Sequence, residues 1–478
     1  MKIVVLGGSP KGANSVTLQY VKYWEACFPE HEYEYIYAAQ RVALYEKNPG
    51  AFEEVMKTID RADLVVWAFP LYYLVVHSSY IRFIELIFER QREDVFRGKY
   101  TGAVSTSIHF YDHTAQNYIR SICDDLGMKY IGGVPAHMRD LTKKEMQPGL
   151  RLVFQRWLET AEHQRGTIRA FAPVRETGFD GYQPVSDHPG PLSAEKKVTI
   201  VADLPPGDSP VRRMVERFRK SFPGSELISL REIRMGPCAG CLKCGFDNHC
   251  TYEGKDDLIE LHREKVLTAD VLVFAGAIQR RYLSSTWHRY LERNFNRTHQ
   301  PVLAGKHIGF LVSGPLSQNG NTREILQAYA ETMGGTLADI ISDEADDAGA
   351  VDSAIDDLAG ILKRYAEEEV KLPVSFLGTA GMKLFRDEIY AGLRFVFQSD
   401  HRYYKKHGLY DFPQKRIGML MLMNLAVPLS KIPFLRRKIR GKLVKGMTRP
   451  YHKVLTEARP AERRSLFQQN QQAGSETA

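Results

Sequence analysis

Short apolar runs separated by amphipathic stretches organise this chain. "KIVVLGG" from Lys2, "DLVVWAFP" from Asp63 and "YTGAVSTS" from Tyr100 are too short for buried helices, and each meets glycine, proline or small polar residues. Helical spacing of apolar residues fills the intervals, and strands alternating with helices predict right-handed crossovers and a parallel, doubly wound sheet. The pattern then restarts with "KVTIVAD" from Lys197, "SELISL" from Ser225, "DVLVFAG" from Asp270 and "HIGFLVSG" from His307. Connecting loops repeat as well: "VVHSSYIRFIEL" (residues 75–86) corresponds to "RYLSSTWHRYLER" (281–293) with a one-residue offset. An internal duplication follows, so the expected fold class is α/β with two doubly wound parallel sheets in tandem. Pro173, Gly178, Gly181, Pro184, Pro189, Gly190 and Pro191 mark the join. The expected parts are therefore residues 1–170, a linker at 171–194, a second domain at 195–370 and a C-terminal extension at 371–478.

Composition adds two points. With 478 residues, 44% hydrophobic and 26% charged, the chain has material for several cores and does not belong to a disordered or collagen-like class. The apolar start, residues 1–6, runs at once into Gly7 and Gly8, which predicts no secretory signal and hence a reducing, cytoplasmic setting.

The net charge of +8 is unevenly distributed. Residues 401–453 hold fourteen Lys or Arg against the single acid Asp411, leaving 51 basic and 56 acidic residues elsewhere, or −5. Within that basic segment the apolar run from Ile417 to Leu429, broken by Pro428, falls short of the about 20 residues needed to span a bilayer. Followed by Arg436, Arg437, Lys438, Arg440, Lys442 and Lys445, it suits a mainly helical extension lying on an anionic membrane surface through residues 415–453. Packing of its methionines and leucines onto the domains is the alternative. No base-reading module accompanies the charge, so nucleic acid is not expected as a partner. Residues 459–478 are polar and predicted to be disordered.

"GGSPKGANSVT" (residues 7–17) follows the first strand and enters a helix. That is the carboxyl edge of a doubly wound sheet, where a helix amino terminus offers free N–H groups to an anion. Gly7 and Gly8 allow close approach, Ser9, Ser15 and Thr17 supply hydroxyls, Lys11 supplies charge, and Asn14 and Val16 sit at the helix entry. The pattern reads as a phosphate cradle, though neither a Walker loop nor a dinucleotide fingerprint. An ordinary turn capped by Asn14 or Ser15 is the plainer reading.

The loop resembles the FMN-phosphate loop of flavodoxin-like NAD(P)H-dependent FMN reductases. "AFPLYYLVVHSSYIRFIE" (68–85) and "STSIHFYDH" (105–113) resemble that family's second and third loops, in the same order. The resemblance covers roughly residues 1–345; Arg82 stands where the family usually has Lys, and the third loop lacks the usual Gly-Gly. It implies strand order 2-1-3-4-5, FMN phosphate on Ser9, Lys11, Asn14, Ser15, Val16 and Thr17, and the isoalloxazine beside Pro70, Leu71, Tyr72 and Tyr73. The flavin's polar edge is then expected against Ser105, Thr106 and Ser107. It also implies an oxidoreductase taking electrons from NAD(P)H or a ferredoxin-like donor and passing them to a small-molecule or protein acceptor such as a quinone or flavin. Because this family commonly binds FMN at a subunit interface, a homodimer or an internal pairing of the two halves is implied too. Catalysis then needs no side chain beyond the flavin, and His77, His109 and His113 are left out of the catalytic set. The competing class is a non-enzymatic, degenerate flavodoxin-like binding protein docked through its basic segment.

In the second half Asp203 and Asp208 stand in the corresponding phosphate loop, where acids repel a dianion, so a second FMN cradle is not expected. This half carries "CAGCLKCGFDNHC" instead, with Cys238, Cys241, Cys244 and Cys250 at Cys-x2-Cys-x2-Cys-x5-Cys spacing, followed by Asp256 and Asp257. Such compact thiols suit a [4Fe–4S] cluster, with free or redox-active thiols and zinc left open. The stretch resembles the iron–sulfur flavoprotein branch of the same superfamily. Cys27 and Cys123, in helical patterns, are expected to be buried hydrophobes.

Overall fold

The computed structural model describes residues 1–411 apart from 176–180, 194, 298 and 346, and beyond them residues 417–429, 431–434, 451, 454 and 455. The expected strands form. The first sheet comprises β1 (Lys2–Gly7), β2 (Glu32–Ile36), β3 (Leu64–Pro70), β4 (Tyr100–Ser107) and β5 (Lys129–His137), all parallel in the order β2-β1-β3-β4-β5. The second comprises β6 (Val198–Ala202), β7 (Glu226–Ser229), β8 (Val271–Gln279), β9 (Tyr282–Leu283), β10 (His307–Ser313) and β11 (Thr336–Ser342). Its parallel order is β7-β6-β8-β10-β11, with β9 added antiparallel to β8. Both orders are the flavodoxin-like 2-1-3-4-5, so the expected fold class holds for each half.

Each sheet has its own core. In the first half Trp24 stacks on Phe154 at 4.5 Å, and Trp157 presses on the strand at Gly102, where a Cβ would stand 2.6 Å from the indole. The second core gathers Val273, Leu311, Ile355 and Leu358, and it takes in Tyr182 from the proline- and glycine-rich join. Asp352 accepts from the Tyr182 hydroxyl and from the Val185 and Ser186 N–H groups, so the described part of the join is packed rather than a free tether.

The two halves meet through the loops that the repeat pairs. Helix Ser78–Glu89 packs on helix Ser285–Arg293. The Glu292 carboxyl accepts from Ser78 N at 3.0 Å and Ser78 Oγ at 2.6 Å, and the Glu85 carboxyl accepts from Ser285 N and Ser285 Oγ, both at 2.6 Å. The serine at the start of each helix thus donates to a glutamate of the other helix, and the two contacts are reciprocal.

By compactness the chain divides into residues Met1–Leu409 and Tyr410–Ala478. The first part of the expected extension therefore belongs with the two sheets: helix Phe376–Glu388, a π turn at Ile389–Leu393 and helix Gln398–Lys406. The other unit holds helix Ile417–Leu429, on which Ile417, Met421, Leu422, Leu425 and Val427 are exposed. Among the described residues no helix is long and apolar enough to cross a membrane. The basic residues 436–445 and the polar tail 459–478 lie outside the described residues.

Candidate functional site

The carboxyl edge of the first sheet opens into a cavity of about 290 Å³, near the lower bound of about 300 Å³ for small-molecule pockets. Ser9, Lys11, Asn14, Ser15, Val16, Pro70, Leu71, Tyr72, Tyr73, Thr106 and Ser107 all line it. Thr17 and Ser105, expected there, do not: the Thr17 hydroxyl bonds Thr106 Oγ1 at 2.6 Å, and Ser105 Oγ accepts from Gln116 Nε2 at 2.8 Å. Strand and helix packing thus gives both hydroxyls a partner within the chain.

The first loop is shaped for an anion. Gly8 has no room for a side chain, since a Cβ would lie 2.7 Å from Phe69 Cβ and from the Tyr80 ring. Ser15 heads helix Val16–Cys27 without capping it, and its buried Oγ has no hydrogen-bond partner. Buried hydroxyls are almost always paired, so an orphan at a helix amino terminus fits a phosphate oxygen. The residues present therefore fit FMN at its phosphate end.

All four cysteines of the second half line the same cavity, facing these loops. Gly240, at φ +62°, takes Tyr72 and Lys11 against its open face: a Cβ there would lie 2.1 Å from Tyr72 Oη and 3.0 Å from Lys11 Cε. Tyr72 packs edge-on against His77 at 4.5 Å, and His77 Nε2 lies 2.8 Å from the Cys238 carbonyl. Glu292, which clamps Ser78, also accepts from Cys238 N at 2.8 Å. The cysteine loop is thus pinned by the same residues that join the halves.

The expected cluster is not met by this arrangement. Among the described residues no group of three His, Cys, Asp or Glu side chains converges to hold a metal ion. Other contacts shape the loop: Gly240 N donates to Cys238 Sγ at 3.4 Å, Leu242 and Asn248 sit at positive φ, and Cys241 is exposed. Burial, with Glu292 adding to it, pushes the Cys238 thiol well above its ordinary range, and burial with nearby Cys250 pushes Cys244 up to about 12. Cys123 is buried, as expected, whereas Cys27 is only half-buried.

The far wall was not legible in the sequence. It consists of Glu292, Arg293, Phe295, Asn296 and His299 from the second half and Phe385, Leu393 and Phe397 from the C-terminal segment. That segment is fastened on several sides. Glu331 Oε2 accepts from Ser375 N, Ser375 Oγ and Gly378 N; Tyr111 Oη donates to the Leu377 carbonyl; His299 Nδ1 meets Asp400 Oδ2 at 2.8 Å. Ser399 Oγ donates to the Gly245 carbonyl at 2.9 Å and Arg402 to that of Phe246 at 2.7 Å, locking the short cysteine helix Lys243–Asp247. The one available signal was the serine–glutamate spacing shared by the two halves.

The second half's own loop is filled from within. Asp203 N reaches the Ala275 carbonyl at 2.9 Å as Gly8 N reaches that of Ala68 at 2.8 Å, so the two residues hold equivalent stations. Asp203 is buried against Arg231, at 2.6 Å, and the Ser284 hydroxyl.

Residues 1–139 match the family model of NADPH-dependent FMN reductase. The match falls on the half whose three loops line the cavity, in agreement with the resemblance. Solved structures to which the chain is similar include the NAD(P)H:(acceptor) oxidoreductase FerB from Paracoccus denitrificans, 14% identical over 34% of this chain and 97% of that one, with a TM-score of 0.30. An FMN-dependent NADH-azoreductase from Bacillus anthracis in complex with FMN is 14% identical over 34% and 99%, TM-score 0.25. A WrbA-like flavodoxin from Agrobacterium tumefaciens is 14% identical over 37% and 100%, TM-score 0.26. No curated protein matches the sequence significantly.

Proposed function

We propose that this protein is an FMN-dependent NAD(P)H oxidoreductase with one flavin site per chain, passing electrons to a small-molecule or protein acceptor. When bound, FMN supplies the two-electron chemistry, accepting a hydride from NAD(P)H. Ser9, Lys11, Asn14, Ser15 and the amino terminus of helix Val16–Cys27 hold the phosphate, while Pro70, Leu71, Tyr72 and Tyr73 flank the ring system. Aromatic residues of the far wall exclude water, and Glu292 keeps the cysteine loop in place as the opposite face. The cysteines enter this reading as thiols. The observation that carries it is the unpartnered Ser15 hydroxyl at a helix amino terminus, in a cavity lined by all three loops. Since both halves face each other within one chain, no second copy is needed to complete the site.

The chain prepared anaerobically should be yellow, bind one FMN and bleach on addition of NADPH. A colourless chain that takes up no FMN overturns this reading and leaves a flavodoxin-like binding protein. All six cysteines are free, which suits a reducing, cytoplasmic setting. Residues 415–453 are read as contacting an anionic membrane surface, because the exposed apolar side chains of helix Ile417–Leu429 precede a basic run. Salt-sensitive pelleting with phosphatidylglycerol vesicles is the check, and no pelleting at low salt refutes it.

A further inference from the structure

Besides Ser15 Oγ and Tyr73 Oη in the first half, two buried polar atoms of residues that line the cavity lack a partner among the described residues: Arg293 Nε and Asn296 Oδ1. Both belong to the second half, three residues apart where helix Ser285–Arg293 runs into the turn Asn294–Arg297. Arg293 is 2% exposed and Asn296 7%. The Arg293 fork is fixed: Nη1 donates to the Gly236 carbonyl at 2.8 Å and to Asp256 Oδ2 at 2.6 Å, Nη2 donates to Asp256 Oδ1 at 3.1 Å, and the guanidinium lies 4.2 Å over the Tyr252 ring. Its Nε–H is the donor left over. The Asn296 side-chain amide brings a donor and an acceptor side by side.

In the third loop of the first half each of the three hydroxyls already has a partner within the chain. There Ser105 is engaged by Gln116, Thr106 by Thr17, and Ser107 Oγ accepts from His109 N at 2.8 Å. A buried ligand that needs hydrogen bonds on its far side must find them across the cavity, where unpaired groups are costly until a ligand arrives.

We propose that Arg293 and Asn296 recognise the pyrimidine edge of FMN, so that the second half of the chain completes the flavin site of the first. That edge offers an acceptor, a donor and an acceptor in a row: the C4 carbonyl, N3–H and the C2 carbonyl. The Asn296 amide complements the C4 carbonyl and N3–H; Arg293 Nε–H complements the C2 carbonyl. Asp256, downstream of the cysteines, is a positioning residue that aims the guanidinium. The proposal rests on the FMN reading above.

The test compares equilibrium binding of FMN and N3-methyl-FMN, followed by flavin fluorescence, in the full chain. N3-methylation removes the donor that Asn296 would meet. The wild type is expected to prefer FMN by about 10-fold or more, the loss of one buried hydrogen bond. Asn296→Leu and Asn296→Ala should bind both ligands alike, whereas Ser15→Ala should weaken both by one factor and keep the preference. Arg293→Lys, which keeps the charge but not the fork, should weaken FMN, and thermal unfolding checks that each variant is folded. FMN binding without preference in the wild type, or an unchanged preference in both Asn296 variants, overturns the proposal while leaving the flavin reading intact. No FMN binding by the wild type overturns both.

Discussion

Glu292 joins the halves through the start of helix Ser78–Glu89, and truncating it gives a prediction with a defined size. Its carboxyl takes hydrogen bonds from Ser78 N, Ser78 Oγ and Cys238 N, with His77 Nε2 at 3.4 Å, and its side chain is 1% exposed. Glu292→Ala strands three buried donors at about 1–3 kcal/mol each, so about 3–5 kcal/mol is expected once the site relaxes. Glu85 differs in one respect. It accepts from Ser285 N and Ser285 Oγ, but its third partner, Arg82, is partly exposed and retains Glu46 and Glu89. Glu85→Ala therefore strands two donors and should cost about 2–4 kcal/mol. Urea unfolding followed by tryptophan fluorescence measures both. A Ser78→Ala, Glu292→Ala cycle should show coupling of about 0.5–3 kcal/mol. Because Glu292 also holds the Cys238 backbone, its loss should speed labelling of Cys238, and Glu85→Ala should not. The reasoning fails if Glu85→Ala costs more than Glu292→Ala, or if Cys238 labelling responds equally to both.

Two further outcomes follow from burial. Cys241 is exposed whereas Cys123 is buried with its thiol pushed up by desolvation, so a thiol reagent followed by peptide mapping should modify Cys241 first and Cys123 only on unfolding; Cys241 protected until iron or zinc is stripped would show that a metal holds the loop after all. Burial lowers His262 to about 3, helped by Arg297 and Lys306, and His288 to about 4. The unfolded chain then binds more protons than the folded one below about pH 6.5, so the stability that these residues allow is full above that pH and is lost as pH falls toward 4. Both His262 ring nitrogens lack partners, so His262→Leu removes no hydrogen bond and should lower the midpoint of acid unfolding; an unchanged or higher midpoint counts against it.

The sheets were readable because a fully buried parallel strand is a short apolar run, and β1, β3, β4, β6, β8 and β10 are all such runs. The near wall of the cavity was readable for a related reason: its residues lie at strand ends, where local sequence decides the position. Thr17 and Ser105 escaped this logic. Whether a hydroxyl faces a ligand or a neighbouring strand depends on a partner distant in sequence, Thr106 in one case and the helix residue Gln116 in the other. The far wall depends wholly on such partners. Phe385 reaches the site only because Ser375 and Gly378 anchor on Glu331, and neither end of that contact carries a chemical motif. The cysteine spacing was legible as a set but not as a geometry, since Glu292, His77 and the clamp from Ser399 and Arg402 decide how the loop is held.

Duplication explains why one half could give up its ligand loop. Two equal halves related by the Ser78–Glu292 and Ser285–Glu85 exchange would present two equivalent cavities, each walled by the other half. Gly8 and Asp203 break that equivalence at the same station. Glycine leaves the first loop open at its start, while the aspartate brings a carboxylate that Arg231 pairs with and the Ser284 hydroxyl donates to. A dianion entering there would displace a buried ion pair rather than fill an empty cradle, which is costly when one partner is left unpaired. In the proposed assignment the second half, with no ligand of its own, supplies Arg293 and Asn296 across the cavity of the first. The cysteine loop and the C-terminal segment line the same cavity, so on the proposed reading the asymmetry at one backbone position separates the half that binds from the half that completes the site.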